Sequence, residues 1–140
     1  MCIRDRYQVV IDTNVLVTAL RSRLGASYLL LSHLGSAKWR PNLTVALALE
    51  YEAILKREIR SFGLVDADID DVLDGILSQG ALHRQYFLWR PLAADPNDDL
   101  VLEAAIASSS DFILTYNKRD MAASREFGIQ CLTPVSYTHL

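Results

Sequence analysis

Short blocks of apolar residues alternate along the chain with longer segments in which apolar residues recur every three or four positions. The short blocks have the length and composition of buried strands. They are residues 7–11, 83–89, 111–116 and 129–132. The longer segments have helical spacing, and they are residues 15–23, 26–35, 44–63, 66–79 and 98–109. Because strands alternate with helices, the pattern indicates βαβ units, and it predicts an α/β fold with a parallel sheet.

Residue types add finer expectations to this pattern. Residues 38–43, KWRPNL, are predicted to be a connector that Trp39 and Leu43 anchor. Asp66 is a predicted N-cap, and residues 95–97, DPN, are a predicted turn. Two helices carry apolar stripes of the kind that pack on a core. The stripes are Val45, Leu49, Ala53 and Ile54 in one helix, and Ile69, Val72, Leu73, Ile76 and Leu77 in the other.

The composition is that of a globular protein with an apolar core. Of 140 residues, 51% are hydrophobic and 22% are charged, which argues against disorder. The net charge of −3 disfavours a protein that holds nucleic acid mainly by neutralising phosphates, but less so an enzyme with a local basic patch. No apolar run is long enough to cross a bilayer, and no secretory signal is recognisable, so we expect a cytoplasmic protein without a membrane segment.

The two cysteines, Cys2 and Cys131, are far apart in the sequence. We expect two reduced thiols rather than a disulfide framework. No clustered Cys/His spacing is present, so a structural zinc site is not expected.

The two ends of the chain differ from the rest. Residues 1–6, MCIRDR, and 135–140, VSYTHL, have no periodicity that matches their neighbours, and they resemble translated sequencing-adapter read-through. We therefore expect both ends to be non-native or disordered, the natural start to lie near Tyr7, and the native C-terminus to be missing. The remaining residues, 7–134, are predicted to form a single domain.

Five carboxylates and one carboxamide stand where a parallel sheet would bring them together. They are Asp12, Glu50, Asp98, Asp99, Glu103 and Asn117. Sites in open parallel sheets form beyond the carboxyl ends of the strands, and Asp12 and Asn117 each follow a predicted strand. Crowded carboxylates raise one another's cost of ionising, and a hard divalent cation with oxygen ligands relieves it. The pattern therefore predicts Mg²⁺- or Mn²⁺-dependent phosphoester chemistry.

Each of these residues also has a purely structural interpretation. The Asp12 segment is also typical of a strand-to-helix cap, and Glu50 of a surface ion pair. Asp98 and Asp99 suit the start of a helix electrostatically, while Glu103 is compatible with a solvated helix position and Asn117 with a turn. The joint order of the residues is what favours a site.

That order resembles the PIN-domain family, and within it the toxin ribonucleases of bacterial toxin–antitoxin systems (VapC-like). The resemblance covers about residues 8–134, and its most specific segments are VVIDTNVLVTAL, EYEAILKR, DPNDDLVLEAAIASSSDFILTYNKRDM and IQCLTP. It implies a three-layer α/β/α fold with a central, mostly parallel sheet. The implied catalytic residues are Asp12, Glu50, Asp99 and Asn117. We expect Mg²⁺ or Mn²⁺ to be held by Asp12, Glu50, Asp99 and Glu103, with supporting roles for Thr13, Asn14, Asp98, Thr115 and Asp120.

The segment TYNKRD departs from the pattern of many relatives, which have an aspartate where this chain has Asn117. A related branch carries asparagine there, and Asp120 is a candidate for the missing charge. The resemblance also implies an RNA substrate, a small antitoxin that covers the site, and a homodimer. Candidate contacts to the RNA backbone are Arg21, Arg23, Lys56, Arg57 and Lys118.

Three other functions fit parts of the sequence. One is a degenerate PIN fold that acts as a binding module without catalysis, and another is a housekeeping nuclease that processes RNA or DNA. A haloacid-dehalogenase-like phosphatase also begins with a strand that ends in an acid. It requires a second aspartate two residues later, where this chain has Asn14.

Overall fold

The computed structural model describes residues 7–22, 32, 38–84, 99–116 and 127–134, and the backbone alone of residues 96–98. The predicted helix at 26–35 and the two terminal segments lie essentially outside this part of the chain. The strands are β1 (Tyr7–Ile11), β2 (Trp39–Thr44), β3 (Ala81–His83), β4 (Phe112–Leu114) and β5 (Gln130–Leu132). The helices are α1 (Thr13–Arg21), α2 (Val45–Arg57), α3 (Ile59–Phe62), α4 (Asp66–Gln79) and α5 (Pro96–Ser108).

The strands of the described part form one five-stranded sheet in the order β3-β2-β1-β4-β5, and all neighbours are parallel. Helix α5 packs against β1 and β2, while α4 contacts β2 and β3. This is the expected three-layer α/β/α architecture with a parallel sheet. Strand β1 is central, and its residue Ile11 pairs with Leu114 of β4. The carboxyl ends of β1 and β4 therefore lie side by side, which brings Asp12 next to Thr115.

The core lies on both sides of β1. Val9 and Val10 have no exposed surface and Ile11 has 1%, as expected for a central strand covered on both faces. Trp39 and Leu43 are also buried, so their expected role as anchors is confirmed.

The expected connector at residues 38–43 is wrong, because residues 39–44 form strand β2. Pro41 lacks an N–H group and Asn42 is polar, and both weaken the sequence signal for a strand. Asn42 is nevertheless 2% exposed. Its side-chain amide donates to Gln8 Oε1 at 2.8 Å, and its Oδ1 lies 2.6 Å from His83 Nε2. The polar side chain is thus satisfied inside the sheet by its two neighbouring strands.

The helix expected at residues 44–63 is two helices, α2 and α3, separated at Glu58. Thr44 caps α2, since its hydroxyl accepts from the Leu47 N–H at 3.2 Å. The apolar stripe of α2 also differs from the expected one, because Val45 and Leu49 are more than half exposed. The residues of α2 that are buried are Leu47, Tyr51 and Leu55. In VALALEYEAIL almost every position is apolar, so two stripes have helical spacing and the sequence does not choose between them.

Three other boundaries shift. Val65, rather than Asp66, is the N-cap of α4, and the Asp68 carboxylate accepts from the Val65 N–H at 3.0 Å. The expected turn at residues 95–97 is wrong at Pro96, which begins α5, and proline suits the first position of a helix. Strand β3 ends at His83, where the expected strand began, and residues 85–89 lie outside the described part.

Two further expectations concern the chain as a whole. Among the residues that the structure describes, no helix has the length and apolar character needed to cross a membrane. Cys131 is partly exposed, and Cys2 lies outside the described residues.

Candidate active site

Asp12 lies directly after the central strand, and its carboxylate is held inside the protein. The residue is 4% exposed, and its N–H donates to the carbonyl of Leu114 at 2.9 Å. Its Oδ2 accepts a 2.6 Å hydrogen bond from Thr115 Oγ1, which is fully buried. Asp12 occupies the N-cap position of α1 without a side-chain capping bond. Capping therefore does not explain why a carboxylate is buried here.

Glu50 meets the same region from the middle of α2. Its Oε2 accepts a 2.8 Å hydrogen bond from Thr13 Oγ1, the residue that follows Asp12. Thr13 is 5% exposed and Glu50 is partly exposed. This hydrogen bond connects the first turn of α1 to the centre of α2. It brings Asp12 and Glu50 to the same end of the sheet.

The buried phenol of Tyr51 lies near both carboxylates. The side chain is 2% exposed, and its hydroxyl donates to the carbonyl of Ile11. Burial raises the pKa of the Tyr51 phenol well above its usual value, and the negative charges of Asp12 and Glu50 raise it further. The phenol therefore stays protonated at neutral pH and remains a hydrogen-bond donor.

Helix α5 carries the next pair of candidate carboxylates. Asp99 lies in its first turn and Glu103 four residues later, so both project from one face of the helix. Both side chains are partly exposed. The helix packs against β1 and contacts α2, the elements that present Asp12 and Glu50.

The remaining candidates are placed only in part. Asn14 is exposed on α1, and its carbonyl accepts from Thr18 Oγ1 at 2.8 Å. Asp98 lies in the first turn of α5, but its side chain is outside the described part, as are Asn117 and Asp120. Among the side chains that the structure does describe, no group of three or more His, Cys, Asp or Glu residues is arranged to hold a metal ion.

The donors that the structure brings together are compatible with a hard cation. Asp12 and Glu50 offer carboxylate oxygens, which Mg²⁺ and Mn²⁺ prefer, and Thr115 and Thr13 orient one oxygen of each. Mg²⁺ keeps several of its waters and is commonly bound by one or two carboxylates. Two protein carboxylates are therefore a sufficient starting set.

Three candidate RNA contacts already face acidic side chains. Lys56 Nζ lies 3.1 Å from Asp70 Oδ1, and the hydrogen bond to Asp70 raises the pKa of Lys56. Arg21 and Arg57 both lie near Glu58, at 3.4 Å and 4.0 Å. These pairs lie at the surface and are weak. Arg23 and Lys118 lie outside the described residues.

A comparison with known families agrees with this geometry. The family profile described as PIN domain matches residues 8–119, which is most of the chain. The chain belongs to the PIN-domain family. PIN domains are generally nucleases and typically use divalent metals, so this PIN domain has a nuclease fold. No curated protein matches the chain.

Within this PIN domain, Tyr51 is the residue of the site that the sequence interpretation missed. A signal was present, because a tyrosine in an apolar helix segment needs a partner for its hydroxyl when it is buried. Its position directly after Glu50 in LALEYEAIL also pointed to the site. The partner is a backbone carbonyl 40 residues away, and local sequence does not reveal it.

Proposed function

We propose that this PIN domain is a metal-dependent endoribonuclease that hydrolyses RNA phosphodiester bonds. The observation that carries the proposal is the burial of the Asp12 carboxylate beside Glu50, where each accepts from a threonine hydroxyl. Burying charge is costly unless it is compensated, and proteins accept such a cost most often at functional sites. The PIN-domain match supports a nuclease over other uses of paired carboxylates.

The proposed site includes residues beyond Asp12 and Glu50. Asp12, Glu50 and Asp99 would hold Mg²⁺ or Mn²⁺, with Glu103 or Asn117 positioning water or a second ion. A bound ion of this kind lowers the pKa of a water ligand and stabilises charge on phosphate oxygens. Thr115 and Thr13 keep single oxygens of Asp12 and Glu50 in place through their hydroxyl donors. The supporting roles of Asn14, Asp98 and Asp120 belong to the same proposal.

We further infer a biological role as the toxin of a toxin–antitoxin pair in the cytoplasm. The support is the resemblance of the motifs around Asp12, Glu50 and Asp99 to toxin ribonucleases. A small antitoxin that covers the site and a homodimer are part of this inference. A small gene of antitoxin type directly upstream would favour it over a housekeeping nuclease.

The deciding experiment compares Asp12→Asn with the control Asp71→Asn, which changes an exposed carboxylate on α4. We expect Asp12→Asn to lower Mn²⁺-stimulated cleavage of single-stranded RNA by about 100-fold or more, and to leave the protein folded. Asp71→Asn should cleave at the wild-type rate. Equal RNA cleavage rates for the two variants would show that Asp12 is not part of the catalytic site.

Measurements on the wild-type protein distinguish a catalytic nuclease from a degenerate binding module. An active nuclease should melt at a higher temperature with Mn²⁺, because a ligand that binds only the folded state stabilises it. A wild-type protein that gains no stability from Mn²⁺ and leaves RNA intact would support the degenerate fold, in which Asn117 marks the loss of a cation site.

A further inference from the structure

Tyr51 lies between the two elements that supply the carboxylates of the site. It belongs to the buried side of α2, together with Leu47 and Leu55. Its hydroxyl reaches across to β1 and donates to the carbonyl of Ile11, the residue before Asp12. Through its own peptide bond it is also the neighbour of Glu50. One side chain therefore links the backbone beside one carboxylate to the backbone beside the other.

The backbone N–H and the backbone carbonyl of Asp12 both form hydrogen bonds. The Asp12 N–H donates to Leu114 of β4 at 2.9 Å, and the Asp12 carbonyl accepts from the Val15 N–H at 2.9 Å. These two bonds orient the segment between β1 and α1 relative to β4 and to α1 itself. The bond from Tyr51 orients it relative to α2, which carries Glu50.

The bond is also protected from replacement by water. Tyr51 is 2% exposed and Ile11 is 1% exposed. A buried carbonyl that loses its donor is not rehydrated without a structural change. Removing the hydroxyl should therefore alter the position of α2 relative to the end of β1, rather than exchange one partner for another.

We propose that Tyr51 is a positioning residue that fixes the placement of Glu50 relative to Asp12. The inference rests on the proposed nuclease function, because it assigns Tyr51 to the same site. Its role is to align ligands and not to contact substrate. Productive sites need their groups held within about 0.5 Å, and a displacement of about 1 Å can lower the rate about 100-fold.

The test compares Tyr51→Phe with Leu55→Val, both in the full chain. Tyr51→Phe keeps the ring and removes only the hydroxyl. Leu55→Val removes one methylene from the same buried side of α2, one turn later, and it leaves every polar side chain of the site unchanged. Both variants are made in a Gly75→Ala background. Gly75 lies within α4 with nothing within 4 Å of an added Cβ, so alanine there should raise helix stability and keep both proteins folded.

We expect Tyr51→Phe to weaken Mn²⁺ binding to the metal-free protein by about tenfold in calorimetry. The kcat for single-stranded RNA should fall by roughly 10–100-fold, while KM changes by less than about twofold because Tyr51 does not contact RNA. Leu55→Val should lose thermal stability and keep the Mn²⁺ affinity and kcat of the Gly75→Ala parent.

The outcomes distinguish this inference from the function on which it rests. If the parent binds Mn²⁺ and cleaves RNA, but Tyr51→Phe behaves like Leu55→Val, the positioning role is wrong and the nuclease proposal stands. If the parent neither binds Mn²⁺ nor cleaves RNA, both proposals are overturned. A loss of kcat in Tyr51→Phe with unchanged Mn²⁺ affinity would also overturn the role in ligand alignment.

Discussion

Thr13 Oγ1 and Glu50 Oε2 form a 2.8 Å hydrogen bond between residues that are 37 positions apart in the sequence. The bond joins the first turn of α1 to the middle of α2. Because Thr13 follows Asp12 directly, the residue that donates to Glu50 is joined to Asp12 by a peptide bond. The two proposed ligands are therefore coupled through one short segment of backbone.

Replacing Thr13 with valine should remove the hydrogen bond that connects the Asp12 segment to Glu50. The substitution keeps the shape of the side chain but removes the donor, so we expect a loss of about 1 kcal/mol in the free energy of unfolding and about tenfold weaker Mn²⁺ binding. Thr18→Val is the matched control, since Thr18 lies on the same helix and its hydroxyl donates only to the Asn14 carbonyl among the bonds described. Denaturant unfolding and Mn²⁺ calorimetry would test this. Equal Mn²⁺ affinity in the two variants would contradict it.

Thr115→Val should affect the buried carboxylate more strongly. Thr115 is fully buried, and its hydroxyl lies 2.6 Å from Asp12 Oδ2. Loss of a donor to a buried charge should cost about 1.5–3 kcal/mol, measured as the free energy of unfolding without metal. Thr115→Ser keeps the hydroxyl and should recover most of this loss. A serine variant as unstable as the valine variant would show that the methyl group, and not the hydroxyl, supplies the stability.

Gly80→Ala should destabilise the protein at the junction of α4 and β3. An added Cβ would lie 2.7 Å from the Ile76 carbonyl oxygen and 2.8 Å from the Pro41 carbonyl oxygen. Both atoms belong to the backbone, so we expect a loss of about 1–3 kcal/mol. Gly75→Ala, within α4 and with open space around the new Cβ, should instead add roughly 0.5–1 kcal/mol. Denaturant unfolding of both variants tests the contrast, and a neutral Gly80→Ala would refute it.

His83 should make the stability depend on pH. Burial lowers the pKa of its imidazole below the usual 6.5, and the nearby Arg40 lowers it further. The unfolded chain therefore binds a proton at a higher pH than the folded chain does. Stability from this residue is fully present above about pH 6.5 and is lost as the pH falls towards the folded pKa.

Unfolding free energies measured from about pH 8 to about pH 5 would show this effect. His83→Gln should flatten the curve, because the variant cannot take up the proton in either state. The other two histidines, His33 and His139, are present in both proteins, so the difference between the curves isolates His83. Parallel curves would contradict the prediction.

The sequence predicted the elements whose signal is local. The run VVI before Asp12 has the β-branched composition of a central strand, and β1 is that strand. Residues 66–79 have one predicted apolar stripe. Ile69, Leu73 and Ile76 are buried along it and Val72 is partly buried, but Leu77 is 42% exposed. In both segments the pattern has a single solution, because a wrong register would expose several large apolar side chains.

Other elements depended on partners that are distant in the sequence. Residues 39–44 contain Pro41 and Asn42, and they form a strand because β1 and β3 satisfy Asn42 from either side. Helix α2 has two possible apolar stripes, and packing against the rest of the core buries Leu47 and Tyr51 while Leu49 stays 60% exposed. Local propensity does not contain these contacts.

For the site, the sequence by itself determined which residue types are available, namely carboxylates at positions 12, 50, 99 and 103. Only the tertiary structure decided that Asp12 would be buried against Thr115, that Thr13 would bind Glu50, and that Tyr51 would hold the Ile11 carbonyl. The reason is that the sequence fixes the chemical groups of each residue but not the distances between residues that are remote in the chain. The distances and donors that orient each carboxylate arise only when parallel strands and packed helices bring remote segments together.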